Sequence, residues 1–133
     1  MKRMTVLRTL AVLGLALGVL GHQAALAQQR SVLSKTDLTE SPGKEAVVLT
    51  VVGAPALVGG KHYHPGDEFL YLLEGTLIID VEGQAPVTLK AGETYHVPPR
   101  AVHRASNPNP AAPFKVLTFG VFDKGQPDTT PVK

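Results

Sequence analysis

The sequence contains no cysteine, which excludes both disulfides and a lipid-modified cysteine anchor. It has no adjacent arginine pair near its start, so the twin-arginine export route has no support. Long apolar runs are equally scarce. The run from Leu10 to Leu20 falls short of the roughly 20 residues that a membrane span needs. After residue 28 no stretch repeats with a helical period, so long amphipathic helices are excluded as well.

What the N-terminal run does fit is an export signal. Lys2, Arg3 and Arg8 form a basic region, the apolar core follows, and Ala25-Leu26-Ala27 makes a small-x-small cleavage pattern before Gln28. Residues 1–27 are therefore expected to be removed, leaving a periplasmic or secreted protein with no membrane attachment. A retained N-terminal anchor is the alternative. Three of the thirteen Lys and Arg residues lie in this segment, so the rest carries ten basic against eleven acidic side chains, a formal charge near −1. Nothing in that balance calls for nucleic acid or an anionic membrane surface as a partner.

The histidines are not scattered. His22 leaves with the signal, and the other four, His62, His64, His96 and His103, fall in two short stretches. The first, Gly60 to Gly75, reads GKHYHPGDEFLYLLEG. His62 and His64 are two apart, so on a strand they share a face. Pro65, Gly66 and Asp67 signal a turn, and Glu68 opens the returning strand beside the two imidazoles. Such a set suits a divalent ion such as Mn, Fe, Co, Ni or Zn. A hairpin rim with metal-free, hydrogen-bonded histidines explains this stretch equally well. The second stretch, Gly92 to Asn107, reads GETYHVPPRAVHRASN, a strand ended by Pro98 and Pro99, a turn, and then His103.

Together the two stretches resemble the paired signature motifs of the cupin superfamily. The first matches at His62, His64, Glu68 and Gly75, and the second at Gly92, Pro98, His103 and Asn107. The resemblance implies that His62, His64, Glu68 and His103 hold one divalent transition metal ion per chain. Two positions depart from the pattern. Ala56 and Arg100 stand where glycine is usual, and in a left-handed turn arginine would cost about 1 kcal/mol.

The rest reads as short strands: a leader or edge strand within 28–44, a barrel at 45–122 and a polar tail at 123–133. Glu45 to Val52, Phe69 to Leu73, Thr76 to Val81, Pro86 to Leu89, Thr94 to Val97, His103 to Ser106 and Phe114 to Phe122 are expected as strands, with a weaker one at Ala54 to Gly60. Close strand spacing argues an all-β barrel or sandwich, and the resemblance makes it a single-domain jelly roll. The strand from Phe69 is apolar on both faces, so its outer face needs cover, with a homodimer as the expected form.

The resemblance also frames function. A metal-dependent dioxygenase acting on a small oxygen-bearing molecule is the first reading, with Glu68 as a base if it leaves the ion. A non-enzymatic ligand- or metal-binding module and a cupin isomerase or decarboxylase are the alternatives. Around the ion, His96 is expected to steady a ligand imidazole or to handle a proton, with the outer strand face as its other location. Tyr71, Tyr95, Arg100 and Arg104 are the further groups able to hold an anionic or phenolic ligand.

Overall fold

Strands rich in Val, Leu and Ile, each ended by Gly, Pro or Asp, have only one compact solution at this length: to bury one face against another sheet. The computed structural model describes residues 28–133, and the export segment read at 1–27 lies outside them. Among the described residues there is no helix. Ten strands are present: β1 Gln29–Asp37, β2 Lys44–Gly53, β3 His62–Tyr63, β4 Asp67–Glu74, β5 Thr76–Val81, β6 Val87–Lys90, β7 Thr94–Val97, β8 His103–Ser106, β9 Phe114–Asp123 and β10 Thr130–Pro131. They form two five-stranded antiparallel sheets, ordered β1-β2-β9-β4-β7 and β10-β3-β8-β5-β6. This is the all-β jelly roll that the sequence predicts.

Burial follows the pleat. In β4, Glu68, Leu70 and Leu72 turn inward while Phe69, Tyr71 and Leu73 face outward. In β5, Leu77, Ile79 and Val81 are the inward set. One apolar cluster joins residues of β4, β5, β6, β7 and β9, and a smaller one joins Val47, Leu49 and Phe122. Side chains from both clusters wall the cavity that holds the histidines.

At the N-terminal end the edge-strand reading holds, and at the C-terminal end the tail reading does not. β1 is a full nine-residue strand paired along β2, although every one of its residues is exposed. Ladder hydrogen bonds, not side-chain burial, hold it, and hydrophobic pattern reports only the second. The segment 123–133 is not a free tail, because β10 pairs with β3 and sets Pro131 opposite His62. A proline is tolerated there since β10 is an edge strand. Residues 54–60, in contrast, form a turn with one bridge, Val58 to Ser106, and no strand.

Both departures from the glycine pattern sit in left-handed backbone, Ala56 at φ 56° and Arg100 at φ 59°. The conformation is held by hydrogen bonds: Ala56 N–H to the Asn109 carbonyl at 2.9 Å, and Arg100 N–H to the His64 carbonyl at 2.9 Å. Ala56→Gly and Arg100→Gly are each expected to stabilise the fold by about 0.5–1 kcal/mol, since the strain of a Cβ outweighs the chain entropy that glycine adds. Denaturant unfolding of the two variants checks this, and unchanged midpoints would show the strain to be relieved elsewhere.

Candidate metal centre

Strand register brings the histidines together. His62 lies directly opposite His103 across the β3–β8 pair, and their ring centroids are 4.4 Å apart. His64 follows β3 at the turn, 5.0 Å from each of the other two rings, and stacks on Phe122. Glu68 enters from the facing sheet, with Oε2 3.2 Å from His64 Nε2 and 3.5 Å from His103 Nε2. His64, Glu68 and His103 are buried.

The rings are oriented from behind. Nδ1 of His62 contacts the Gly60 carbonyl at 2.9 Å, Nδ1 of His64 the Asp128 carbonyl at 2.5 Å, and Nδ1 of His103 the Ala101 carbonyl at 2.9 Å. A carbonyl only accepts, so each Nδ1 carries the hydrogen and each neutral ring turns a bare Nε2 lone pair inward. Ligand atoms of the three histidines lie within 4.8 Å of one another. His64 Nε2 is buried without a hydrogen-bond partner; its approach to Glu68 therefore sets acceptor against acceptor. Only a positive charge, either a proton or a cation, reconciles that geometry. The donor set fits a divalent transition ion.

Titration shifts express the same conflict. Burial pushes the Glu68 carboxyl up, yet the His103 and His64 imidazoles overcome it and pull the group down to about 2. Burial likewise pushes His64 down, but the Glu68 carboxylate and the Asp128 carbonyl hold it above the ordinary imidazole value. His62 is lowered, chiefly by burial. A carboxyl ionised down to about 2 compensates charge well, but at neutral pH it is a poor proton acceptor.

The other expected residues lie elsewhere. His96 pairs with Phe69 in the β4–β7 register, so it shares that residue's outward face. It is exposed, stacked on Phe69 at 4.8 Å, and 2.7 Å from Asp67 Oδ1, so it is not a partner of the cluster. Period-two alternation explains this: Glu68 opposite Val97 points in, and the next pair points out. Tyr71 is exposed on the same outer face. Tyr95 packs on the larger apolar cluster and reaches Gln84. Arg104 is bound to Asp80 on the neighbouring strand, and Arg100 contributes its backbone N–H rather than its side chain to the histidines. None of these five side chains lines the cavity.

The cavity, of about 230 Å³, is walled by Leu49, Val51, Leu70, Leu77 and Ile79, among others, with the histidines and Glu68 at its polar part. Gln28, Arg30, Lys61 and Thr129 also line it, and sequence reasoning missed them. Lys61 adjoins His62 in the first stretch without being one of its matched positions, while the places of Gln28, Arg30 and Thr129 depend on which strands pair, and no local motif records that. Asn107, matched by motif alone, proves to be a bracket: its buried amide donates to the Ala54 and Ala112 carbonyls at 2.9 Å each, and its oxygen accepts from Asn109 N–H.

A family model described as "Cupin domain" matches residues 42–120, and the chain belongs to that family. Among curated proteins it is similar to 3-hydroxyanthranilate 3,4-dioxygenase from Xanthomonas euvesicatoria pv. vesicatoria (strain 85-10), 29% identical over 63 residues. That match covers 45% of this chain and 36% of the relative, so the chain spans about a third of that protein's length. Among solved structures, a protein with a double-stranded beta-helix domain from Klebsiella pneumoniae subsp. pneumoniae MGH 78578 superposes with a TM-score of 0.64 at 21% identity, covering 80% of this chain and 84% of that one. The DMSP lyase DddQ from Ruegeria pomeroyi DSS-3 superposes with a TM-score of 0.67 at 19% identity, covering 86% and 56%. At these identities the structural likeness concerns the fold alone.

Proposed function

We propose that this chain binds one divalent transition metal ion through His62, His64, His103 and Glu68, and acts as a metal-dependent dioxygenase on a small oxygen-bearing organic molecule. The observation that carries the reading is the clustered set of three imidazoles and one buried carboxylate, a donor set that suits a divalent ion. Similarity to a dioxygenase, over about a third of that enzyme's length, supports the choice of chemistry.

Held by His62, His64, His103 and Glu68, a divalent ion would supply Lewis acidity toward a chelating substrate and redox chemistry toward dioxygen. The chain's own residues do the rest. The backbone carbonyls of Gly60, Ala101 and Asp128 fix the imidazoles, Glu68 offsets the charge, and the apolar walls exclude water from the substrate body. Metal analysis followed by oxygen uptake with catechols, aminophenols and diketones tests the reading. Oxygen consumption with any of them supports it. A loaded protein that binds ligands yet consumes no oxygen would be a binding module or a non-oxidative cupin enzyme instead.

Two further parts of the proposal concern location and assembly. Residues 1–27 are read as an export signal, so protein recovered from an exporting host should begin near Gln28 by mass spectrometry, and an intact Met1 would overturn this. The outer face that carries Phe69, Tyr71, Leu73 and Phe119 is exposed, with Phe69 and Phe119 in register across β4 and β9. Its large apolar side chains, beside the exposed Asp67–His96 pair, support burial against a second copy of the chain. Phe119→Glu should then turn a dimer into a monomer in light scattering, and a monomeric wild type would refute it.

A further inference from the structure

The charged residues that line the cavity are unequally placed. Glu68 is buried, whereas Arg30 and Lys61 are 40% and 46% exposed through their side chains, and so mark its solvent side. Each has an acidic partner, Asp128 for Arg30 at 2.9 Å and Glu82 for Lys61 at 2.7 Å. Neither acid is among the lining residues. The two cations thus line the cavity while the acids paired with them do not.

Register explains how Arg30 arrives there. It stands opposite Val51 in the β1–β2 ladder, and directly opposed residues share a face; Val51 is itself part of the cavity wall. Its bond to Asp128 runs from Nη2 to Oδ2, where that carboxylate competes for one arm of the fork and leaves the other N–H groups to donate. The same Asp128 holds His64 through its carbonyl. The cation at the mouth and the imidazole at the centre are thus fixed to one residue. Gln28, Arg30, Asp128 and Thr129 all lie outside the residues matched by the family model, so family membership does not account for the Arg30 side of the mouth.

We infer that Arg30 selects the ligand, and that the ligand is a small carboxylate: oxygen donors at one end, an apolar body, and a carboxylate at the other end that reaches the Arg30 fork. This rests on the metal-centre reading above. The apolar walls fit the body, and the two mouth cations favour an anionic end over a neutral one.

The test compares two probes with the same chelating diol, catechol and 3,4-dihydroxybenzoate, by calorimetric titration of the metal-loaded protein, with metal content measured on every sample. Wild type should bind the carboxylate probe about ten- to hundredfold more tightly. In Arg30→Gln that ratio should fall to near one. Equal binding by loaded wild type, or an undiminished ratio in Arg30→Gln, overturns the Arg30 assignment and leaves the metal reading standing. Failure to retain metal together with failure to bind either probe overturns both. Where Arg30→Gln does not fold, Asp128→Asn decides, because it removes the competing carboxylate and keeps the carbonyl on His64. A widened ratio supports the assignment, and an unchanged or narrowed one overturns it.

Discussion

His103→Ala is expected to take metal occupancy from about one ion per chain to near zero, a loss well beyond the roughly 10–100-fold seen when only a ligand's hydrogen-bond partner is removed. His103 is the buried member that β8 contributes, opposite His62 in register. No neighbouring donor replaces it: His96, the remaining histidine in the described domain, lies on the outer face. His96→Ala should therefore keep wild-type occupancy, and His62→Ala should resemble His103→Ala. Metal analysis after dialysis against a weak chelator measures all four proteins. Folding is compared in the metal-free state, because bound metal stabilises whatever it binds. Equal occupancy in wild type, His62→Ala and His103→Ala would remove the metal centre from consideration and leave a metal-free cupin.

The second large effect is expected at Gly66. This residue joins His64 to Glu68, and its backbone lies against β9. A Cβ added there would fall 1.9 Å from the Val121 carbonyl oxygen and 2.9 Å from its carbon. Those are backbone atoms of a paired strand, with Val121 opposite Asp67, so they cannot rotate away as a side chain would. Gly66→Ala must therefore part β4 from β9 locally or shift the turn that carries two of the cluster residues. Overpacking of this kind costs about 3 kcal/mol or more, a drop of roughly 10–20 °C in the unfolding midpoint. Gly60→Ala is the matched control, since a Cβ there meets nothing within 4 Å. Similar midpoints for the two variants would refute the close-approach account.

Much of this was legible in the sequence, and for a definite reason. The pattern at His62, His64 and Glu68 is local, and period-two alternation turns spacing directly into facing. Turn residues and β-branched runs likewise marked β2, β4, β5, β8 and β9 to within a residue or two. His96 illustrates the limit. Alternation sets it opposite to Val97, but which of the two faces the interior depends on the β4 residues they oppose, and proximity in sequence to His103 says nothing about that. Arg30 and Asp128 illustrate a second limit. One lies on an exposed strand and the other in a polar segment, so neither carries a burial signal; both reach the site only because β1 and β10 pair with distant strands. Arg100 was singled out as an odd residue at a glycine position, but only backbone geometry shows that its N–H, rather than its charge, serves His64.

The bond from His64 to the Asp128 carbonyl spans 64 positions, and this sets an order of events. A chain released N-terminus first, from a ribosome or through a membrane pore, presents both histidine stretches well before residue 128 emerges. Until then the His64 ring has no acceptor to fix its rotation, and β3 lacks its edge partner. The His64 geometry is thus complete only when residue 128 and β10 are in place. For a chain that crosses a membrane unfolded, the supply of metal that matters is the one on the far side.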